Sequence, residues 1–445
     1  MATVPRGGLL GLTGYHWVVL IAAWLGWGFD VFDALLFNFV APNAVPTLLG
    51  LPLGSPEARQ ATVFWTGALT SILLVGWAAG GLLFGWFADR FGRKRALFAT
   101  IALYACGTAL CAIATDMWQL VLFRVLASLG IGGEWAVGAS LVAETVPETR
   151  RVEAATIVYT SSPLGILLAS TVNYHIAGVW LADAPATSWR YVFLCGLAPV
   201  LAAFFARLFV RESEVWEKEV RHASPPRILE LFTKDVRART ISGMVAAVTA
   251  LLTWWACNAF VPLLGATLAS EHAAATGMTA EAGRVLAEAW KSQASNAFNL
   301  GGLIGALAAI PLARFMGRRT MFVTYFAYSA VLLFATFGLP LAPEARVRML
   351  FAVGMGVYGV FSTFVFYLPE LFPPRLRATG SGLCYNIGRV VAALGPTAVG
   401  LISAAAGGSS DIIVRTMFWL GVFPLVTALA ARFIIIETRG HSLPV

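Results

Sequence analysis

Charged residues are scarce in this chain: Asp, Glu, Lys and Arg make up 12% of its 445 residues, whereas 58% of the residues are hydrophobic. A water-soluble domain carries roughly 25% charged residues. The polar surface that this chain can build is therefore too small for a soluble fold. The composition indicates an integral membrane protein.

Cysteine and histidine are few, and neither forms a recognisable site. The five cysteines include no CxxC pair and the five histidines form no cluster, which argues against a metal site and a disulfide framework. Because the sequence also lacks a phosphate-binding loop and a nucleophile triad, we expect no cofactor, no metal and no enzymatic activity. The net charge of +8 comes without a basic–aromatic module, so nucleic acid is not an expected partner.

Long apolar runs are abundant. A transmembrane helix needs about 20 apolar residues, and the first run is too long for a cleavable signal peptide. The pattern predicts an all-α integral membrane fold with twelve transmembrane helices in the lipid bilayer. Their approximate ranges are 16–40, 61–87, 96–115, 118–144, 152–180, 189–210, 239–265, 292–313, 320–339, 347–369, 378–404 and 412–436.

The second half of the chain repeats polar landmarks of the first half at a shift of about 225 positions. Arg190 recurs as Arg415, Glu212 recurs as Glu437, and Gly92-Arg93-Lys94 recurs as Gly317-Arg318-Arg319. Two similar halves predict two pseudo-symmetric six-helix bundles, 1–210 and 239–445, joined by a linker at 211–238. Carriers built this way bind their substrate between the halves.

Lys and Arg are distributed unevenly among the predicted loops. Loops after even-numbered helices and the two termini hold about 21 of them, and loops after odd-numbered helices hold about five. Because cytoplasmic loops carry the excess of cations, the linker and both termini are predicted to be cytoplasmic. We expect a monomeric, multi-pass protein of the plasma membrane, in bacteria the inner membrane.

The loop between predicted helices 2 and 3 contains a dense polar motif, Gly85-x-x-x-Asp89-Arg90-x-Gly92-Arg93-Lys94. An Asp can stabilise a helix N-terminus, and an Arg can bind a carboxylate with two hydrogen bonds. The motif resembles the signature loop of the major facilitator superfamily, G-x-x-x-D-R-x-G-R-K/R, at all of its polar positions. The resemblance implies a cytoplasmic gate, for which the candidate residues are Asp89, Arg90, Arg93, Glu144, Arg151, Glu370 and Arg377.

Other motifs extend this resemblance over nearly the whole chain. Gly132-Gly133-Glu134-Trp135 and the stretch 369–380 are similar to proton symporters of organic acids, namely the sialate, lactate/pyruvate and aromatic-acid families. The loops that follow Glu144 and Glu437 look more like those of sugar porters. In the second half Arg314 occupies the position of Asp89, so the two gates are expected to differ.

Ionisable residues inside the predicted helices mark the expected site, because each costs roughly 2.5–3.5 kcal/mol at a helix centre unless it is paired. Asp30 and Asp33 lie one turn apart on helix 1. At 1.5 Å of rise per residue, Asp30 is level with Arg124 of helix 4. Two neighbouring carboxylates resist double ionisation, so either Asp can carry a proton.

The resemblance assigns roles to these charges. Sugar–proton symporters have an Asp after a Gly-aromatic step and an Arg followed by a glycine ladder, which Gly28-Phe29-Asp30 and Arg124-x5-Gly130 match. It implies a proton switch in which ionised Asp30 binds Arg124 and protonated Asp30 releases it. Glu134 is either a second proton stop or a structural partner.

Arg389 of helix 11 lies near the predicted midplane, where carriers of this type hold substrate. It can bind a substrate carboxylate with two hydrogen bonds, or it can pair with an acid of the protein. We expect a secondary transporter that couples protons to a small organic anion by alternating access. A proton-coupled sugar or polyol symporter is the alternative, with a transporter-like receptor behind it. The neutral candidates for substrate contacts are Asn258, Asn296, Tyr358, Tyr385 and Asn386.

Overall fold

Twelve helices follow one another in the structure, a computed structural model that describes residues 11–147, 150, 154, 157–212, 228–372, 374–405 and 410–438. We number them in chain order, and two consecutive segments that are joined by "with" below are counted as one helix. They are α1 (Gly14–Leu49), α2 (Pro56–Phe91), α3 (Arg93–Ile113), α4 (Met117–Thr145), α5 (Ser161–His175), α6 (Pro185–Cys195 with Leu197–Leu208), α7 (Arg237–Ala275), α8 (Ala280–Met316), α9 (Arg318–Gly338), α10 (Pro343–Val357 with Phe361–Glu370), α11 (Pro374–Ala392 with Leu394–Ala405) and α12 (Ser410–Leu420 with Val422–Ile434).

The helices occur in the predicted order, and several are longer than the apolar runs that predicted them. Among the described residues, nine helices (α1 to α3 and α7 to α12) are long and apolar enough to cross a membrane. The first helix continues to Leu49 instead of ending near 40, and α8 begins at Ala280 instead of 292. The hydroxyl of Thr279 accepts a hydrogen bond from the N–H of Ala282, so α8 begins on polar residues that hydropathy assigns to a loop.

The turn between α2 and α3 and the turn between α8 and α9 are built alike. Gly92 and Gly317 begin the following helices with φ values of 102° and 82°. Glu212 accepts a hydrogen bond from the N–H of Arg93 at 2.8 Å, and Glu437 accepts one from Arg318 at 2.9 Å. Each carboxylate thus stabilises the positive end of a helix.

Two features of the structure favour glycine at both positions. Their positive φ values are strained for any residue with a Cβ atom. A Cβ on Gly92 would also lie 2.4 Å from a carboxylate oxygen of Glu212, and one on Gly317 would lie 2.7 Å from the corresponding oxygen of Glu437. The repeat found in the sequence therefore corresponds to a repeated turn.

The two bundles contact each other at one end of the helices. We call the end with the Gly92 and Gly317 turns the Gly92 face, and the opposite end, with the α1–α2 turn at Gly50, the Gly50 face. Towards the Gly50 face, α2 packs on α11 so closely that a Cβ on Gly67 would lie 2.3 Å from the carbonyl oxygen of Pro396. Ser170 of α5 and Ser292 of α8 share a hydrogen bond of 2.6 Å. The bundles are therefore in contact on the Gly50 face.

Candidate functional site

A narrow cavity lies between the two bundles near the middle of the helices. Its volume is about 20 Å³, room for about one water molecule. Since both bundles supply its wall, a rotation of one bundle against the other would change its size and its access. The lining residues are Trp27, Val31, Trp77, Tyr159 and Ser162 of the first bundle and Leu251, Trp254, Trp255, Phe361, Tyr385 and Arg389 of the second.

Aromatic rings dominate the wall and meet across the bundle boundary. The rings of Trp77 and Trp255 are 5.6 Å apart edge to face, and those of Tyr159 and Tyr358 are 6.2 Å apart. The hydroxyls of Ser162 and Tyr358 share a hydrogen bond of 2.5 Å across the same boundary. Such a wall offers ring faces and edges to a planar ligand and few hydroxyl-binding groups.

Arg389 supplies the positive charge of the cavity wall. Its guanidinium carbon lies 4.6 Å from the ring centre of Trp77 and 4.8 Å from that of Tyr385, and Nη1 donates a hydrogen bond of 3.1 Å to Asn386. The buried carboxylate of Asp30, on α1, interacts electrostatically with this guanidinium group from the other bundle. A cation is thus held between aromatic faces, opposite an acid of the first bundle.

A second pair of charges lies within the first bundle. Nη1 of Arg124 is 3.5 Å from a carboxylate oxygen of Asp33, with 2% and 0% of the two side chains exposed. Nη2 donates to the backbone carbonyls of Asp33 and Ala34, and Thr108 donates to the other carboxylate oxygen of Asp33 at 2.7 Å. The pair is fully desolvated, and hydrogen bonds satisfy both partners.

The predicted partner of Arg124 was wrong by one helical turn. The sequence assigned Asp30 to Arg124, whereas the structure pairs Arg124 with Asp33 and brings Asp30 near Arg389. One turn rises about 5.4 Å, and the depth of Asp30 was counted from a predicted helix start at 16, two residues or about 3 Å from the observed start at Gly14. Counting along the chain cannot separate two positions that are so close.

The neutral candidates divide into two groups. Tyr385 lines the cavity, Asn386 contacts Arg389, and Tyr358 bonds to the cavity residue Ser162. Asn258 and Asn296 are not among the described residues that line the cavity. The amide of Asn258 donates to the carbonyl of Trp254 on its own helix.

Comparison with known proteins identifies the family to which this chain belongs. A family model described as Major Facilitator Superfamily matches residues 17–396 of this chain. The chain belongs to the major facilitator superfamily. The predicted fold, twelve helices in two six-helix bundles, is therefore confirmed, and the protein is a membrane transporter and not an enzyme.

Two curated relatives and one solved structure show the range of similar proteins. The probable 4-methylmuconolactone transporter of Cupriavidus pinatubonensis is 30% identical, over 95% of this chain and 91% of the relative. The gentisate transporter of Corynebacterium glutamicum is 26% identical, over 99% and 93%. The xylose transporter XylE of Escherichia coli has the same fold, with a TM-score of 0.73 at 17% identity over 97% of this chain and 100% of that chain.

The superfamily gate motif is described in part. The side chains of Asp89, Arg90, Glu144 and Arg377, and the whole of Arg151, lie outside the described residues. The backbone N–H of Arg93 bonds to Glu212, as described above for the repeated turn.

The described part of the second bundle contains a clasp between Glu370 and Arg318. Glu370 accepts two hydrogen bonds from Arg318, at 2.7 and 3.1 Å, and a third from the hydroxyl of Thr438 at 2.5 Å. Arg318 occupies the position that corresponds to Arg93 in the repeat. The clasp joins parts of one bundle, and it carries a bidentate Arg–carboxylate contact of the kind expected from the motif.

Sequence reasoning missed a buried cation of this facilitator and its acidic partner. Nζ of Lys291 lies 2.6 Å from a carboxylate oxygen of Glu288, and 1% of the Lys side chain is exposed. The predicted start of helix 8 at 292 left both residues in a loop. Their spacing of Glu-x-x-Lys directly before an apolar run is the signal that could have placed them on a continuing helix.

Proposed function

We propose that this facilitator transports a small organic anion together with a proton by alternating access. The observation that carries the proposal is the position of Arg389, a buried cation in the wall of a central, aromatic-lined cavity. A guanidinium group can bind a carboxylate with two hydrogen bonds, while the rings around it favour a flat apolar body. The relatives named for gentisate and 4-methylmuconolactone support a compact organic acid as substrate.

The proton acts through the two aspartates of α1. Ionised Asp33 holds Arg124, and a proton on Asp33 weakens that ion pair. Ionised Asp30 competes with the substrate carboxylate for Arg389, and a proton on Asp30 removes the competition. The second step makes binding of the anion favour uptake of a proton, because the anion and ionised Asp30 compete for the same cation, Arg389.

Coupling also lowers the electrostatic cost of the transport step. One proton carried with one monoanion makes the moving unit neutral, and a neutral unit crosses a low-dielectric barrier at much smaller cost than an ion. Glu134, which is 2% exposed on α4 towards the Gly92 face, is a second proton stop in this scheme.

The excess of cations on the Gly92 side assigns that face to the cytoplasm. The contacts on the Gly50 face then correspond to a conformation closed to the outside. In this proposal residues 1–210 and 239–445 move against each other about the linker 211–238. Both termini are cytoplasmic, and the protein works as a monomer in the plasma membrane.

The test is uptake into sealed vesicles that contain the purified full chain. Gentisate, its uncharged amide and xylose are each offered with and without an acid-outside pH step, and a trapped dye reports proton entry. We expect the pH step to drive gentisate accumulation above that in protein-free vesicles, and gentisate to carry protons inward. Accumulation of xylose alone would establish the sugar-symporter alternative, and pH-independent gentisate flux would refute the coupling.

A further inference from the structure

Glu288 and Lys291 form a polar cluster that the cavity chemistry does not use. They lie three residues apart on α8, towards the Gly50 face, and their side chains are 12% and 1% exposed. Each also bonds to the first bundle. Asn173 of α5 donates to Glu288 at 2.9 Å, and Lys291 donates to the backbone carbonyl of Phe39 on α1 at 2.7 Å.

The carbonyl that Lys291 binds lies beside a break in the hydrogen bonding of α1. Pro42, inside α1, has no N–H, so the carbonyl of Asn38 loses its helical donor at this point. The next carbonyl, that of Phe39, accepts the ammonium group. A side-chain donor from the other bundle thus binds α1 next to a carbonyl that has no helical donor.

The α5 side of the cluster is also irregular. A π-helical turn at Ile176–Trp180 directly follows α5, and such turns are frequent at functional sites. A Cβ added to Gly178 in this turn would lie 3.0 Å from Cβ of Glu288, so the turn packs directly on the acid. The cluster is thus in contact with a backbone carbonyl of α1, a side chain of α5 and the turn after α5.

We propose that Glu288 and Lys291 are the gate residues of the Gly50 face, and that separation of Asn173 and Phe39 from them accompanies its opening. This inference rests on the alternating-access function proposed above. Because the ion pair lies within one helix, it stays intact when the bundles separate, and no charge is left alone in either state. Two charge-assisted hydrogen bonds across the boundary break, and the Ser170–Ser292 bond beside them breaks as well.

The experiment measures the opening of the Gly50 face directly. Spin labels at Leu49→Cys, at the end of α1, and Met278→Cys, beside the start of α8, report the distance between the bundles in a background without the native cysteines. Both positions are exposed, at 39% and 43%. We expect Asn173→Ala, and separately Glu288→Gln with Lys291→Met, to raise the population with the longer distance about tenfold.

Thr171→Ala is the matched control, because Thr171 is exposed on α5 and its hydroxyl bonds to the carbonyl of Leu167 on its own helix. Its distance distribution should equal that of the parent protein. Unchanged distributions in both test variants would overturn the gate assignment. The distance needs neither substrate nor proton, so a shift without pH-driven uptake would refute only the proposed coupling.

Discussion

The two bundles are alike at the Gly92 face and different inside. Gly92 with Glu212 and Gly317 with Glu437 build the same turn, with the same carboxylate on the first N–H groups of the next helix. In the interior, the repeat places Asn258 where the first bundle has Asp33. The shared residues serve a structural need that both bundles have, since each must turn between two helices in a small space.

The interior difference indicates how chemistry is divided between the bundles. The first bundle holds the acids Asp30 and Asp33, and the second supplies Arg389 to the cavity. Under the proposed function, a proton-binding half therefore faces an anion-binding half. In this arrangement the cavity lies where the two sets of charges meet, and relative motion of the bundles changes their separation.

The largest effect should come from breaking the buried pair of the first bundle. Asp33→Asn leaves Arg124 without its counter-charge, and loss of one partner of a buried pair costs roughly 3–5 kcal/mol. We expect pH-driven accumulation in vesicles to fall by about 100-fold or more, while exchange of labelled for unlabelled substrate is partly retained.

The counterpart Asn258→Ala is the control, because Asn258 bonds to its own helix and is not among the described residues that line the cavity. Its accumulation should stay within about threefold of the parent, consistent with the loss of one neutral hydrogen bond. Wild-type accumulation in Asp33→Asn would show that this aspartate is not part of the coupling.

Arg389→Lys should have the next largest effect. The substitution keeps the charge but removes the planar group that lies over Trp77 and Tyr385 and that can bind a carboxylate at two points. We expect the Kd for gentisate, measured by calorimetry, to rise about 10- to 100-fold with little change in melting temperature. An unchanged Kd would limit Arg389 to a structural role.

Asp30→Asn tests whether the first bundle competes for that cation. Because ionised Asp30 opposes anion binding at Arg389, gentisate should bind the parent protein more weakly as the pH rises. In Asp30→Asn we expect binding at alkaline pH to be about tenfold tighter than in the parent, a gain of about 1.4 kcal/mol. The measurement is calorimetry over a pH series, with Asp33, Arg124 and Arg389 unchanged in both proteins. If gentisate binding weakened equally with rising pH in both proteins, the proposed competition would be contradicted.

The smallest and most symmetric effect should come from the repeated turn. Gly92→Ala and Gly317→Ala each place a Cβ at positive φ and against a carboxylate. The left-handed conformation costs an L-residue roughly 1–2 kcal/mol, so both variants should lower the melting temperature by similar amounts. A lower melting temperature in only one of the two variants would show that the two turns do not carry equal strain.

Much of the fold was predictable from the chain, whereas the site was predictable only in part. The glycine and glutamate landmarks of the repeat mark real turns because a tight turn imposes the same local geometry wherever it occurs. Arg389 was expected near the middle of the bundles, where it lines the cavity. The partner of Arg124 and the burial of Lys291 were not, since both depend on exact helix ends and on the rotation of one helix against another.

The sequence by itself determined the membrane class, the twelve helices and the two-bundle organisation. These follow from local rules, because backbone polar groups in lipid must bond within the same helix and each apolar run must match the bilayer. The tertiary structure alone decided that Asp33 meets Arg124, that Asp30 approaches Arg389 across the bundles, and that Lys291 reaches the carbonyl of Phe39. Each is a contact between distant helices, where one turn of helix or a few degrees of rotation selects a different partner.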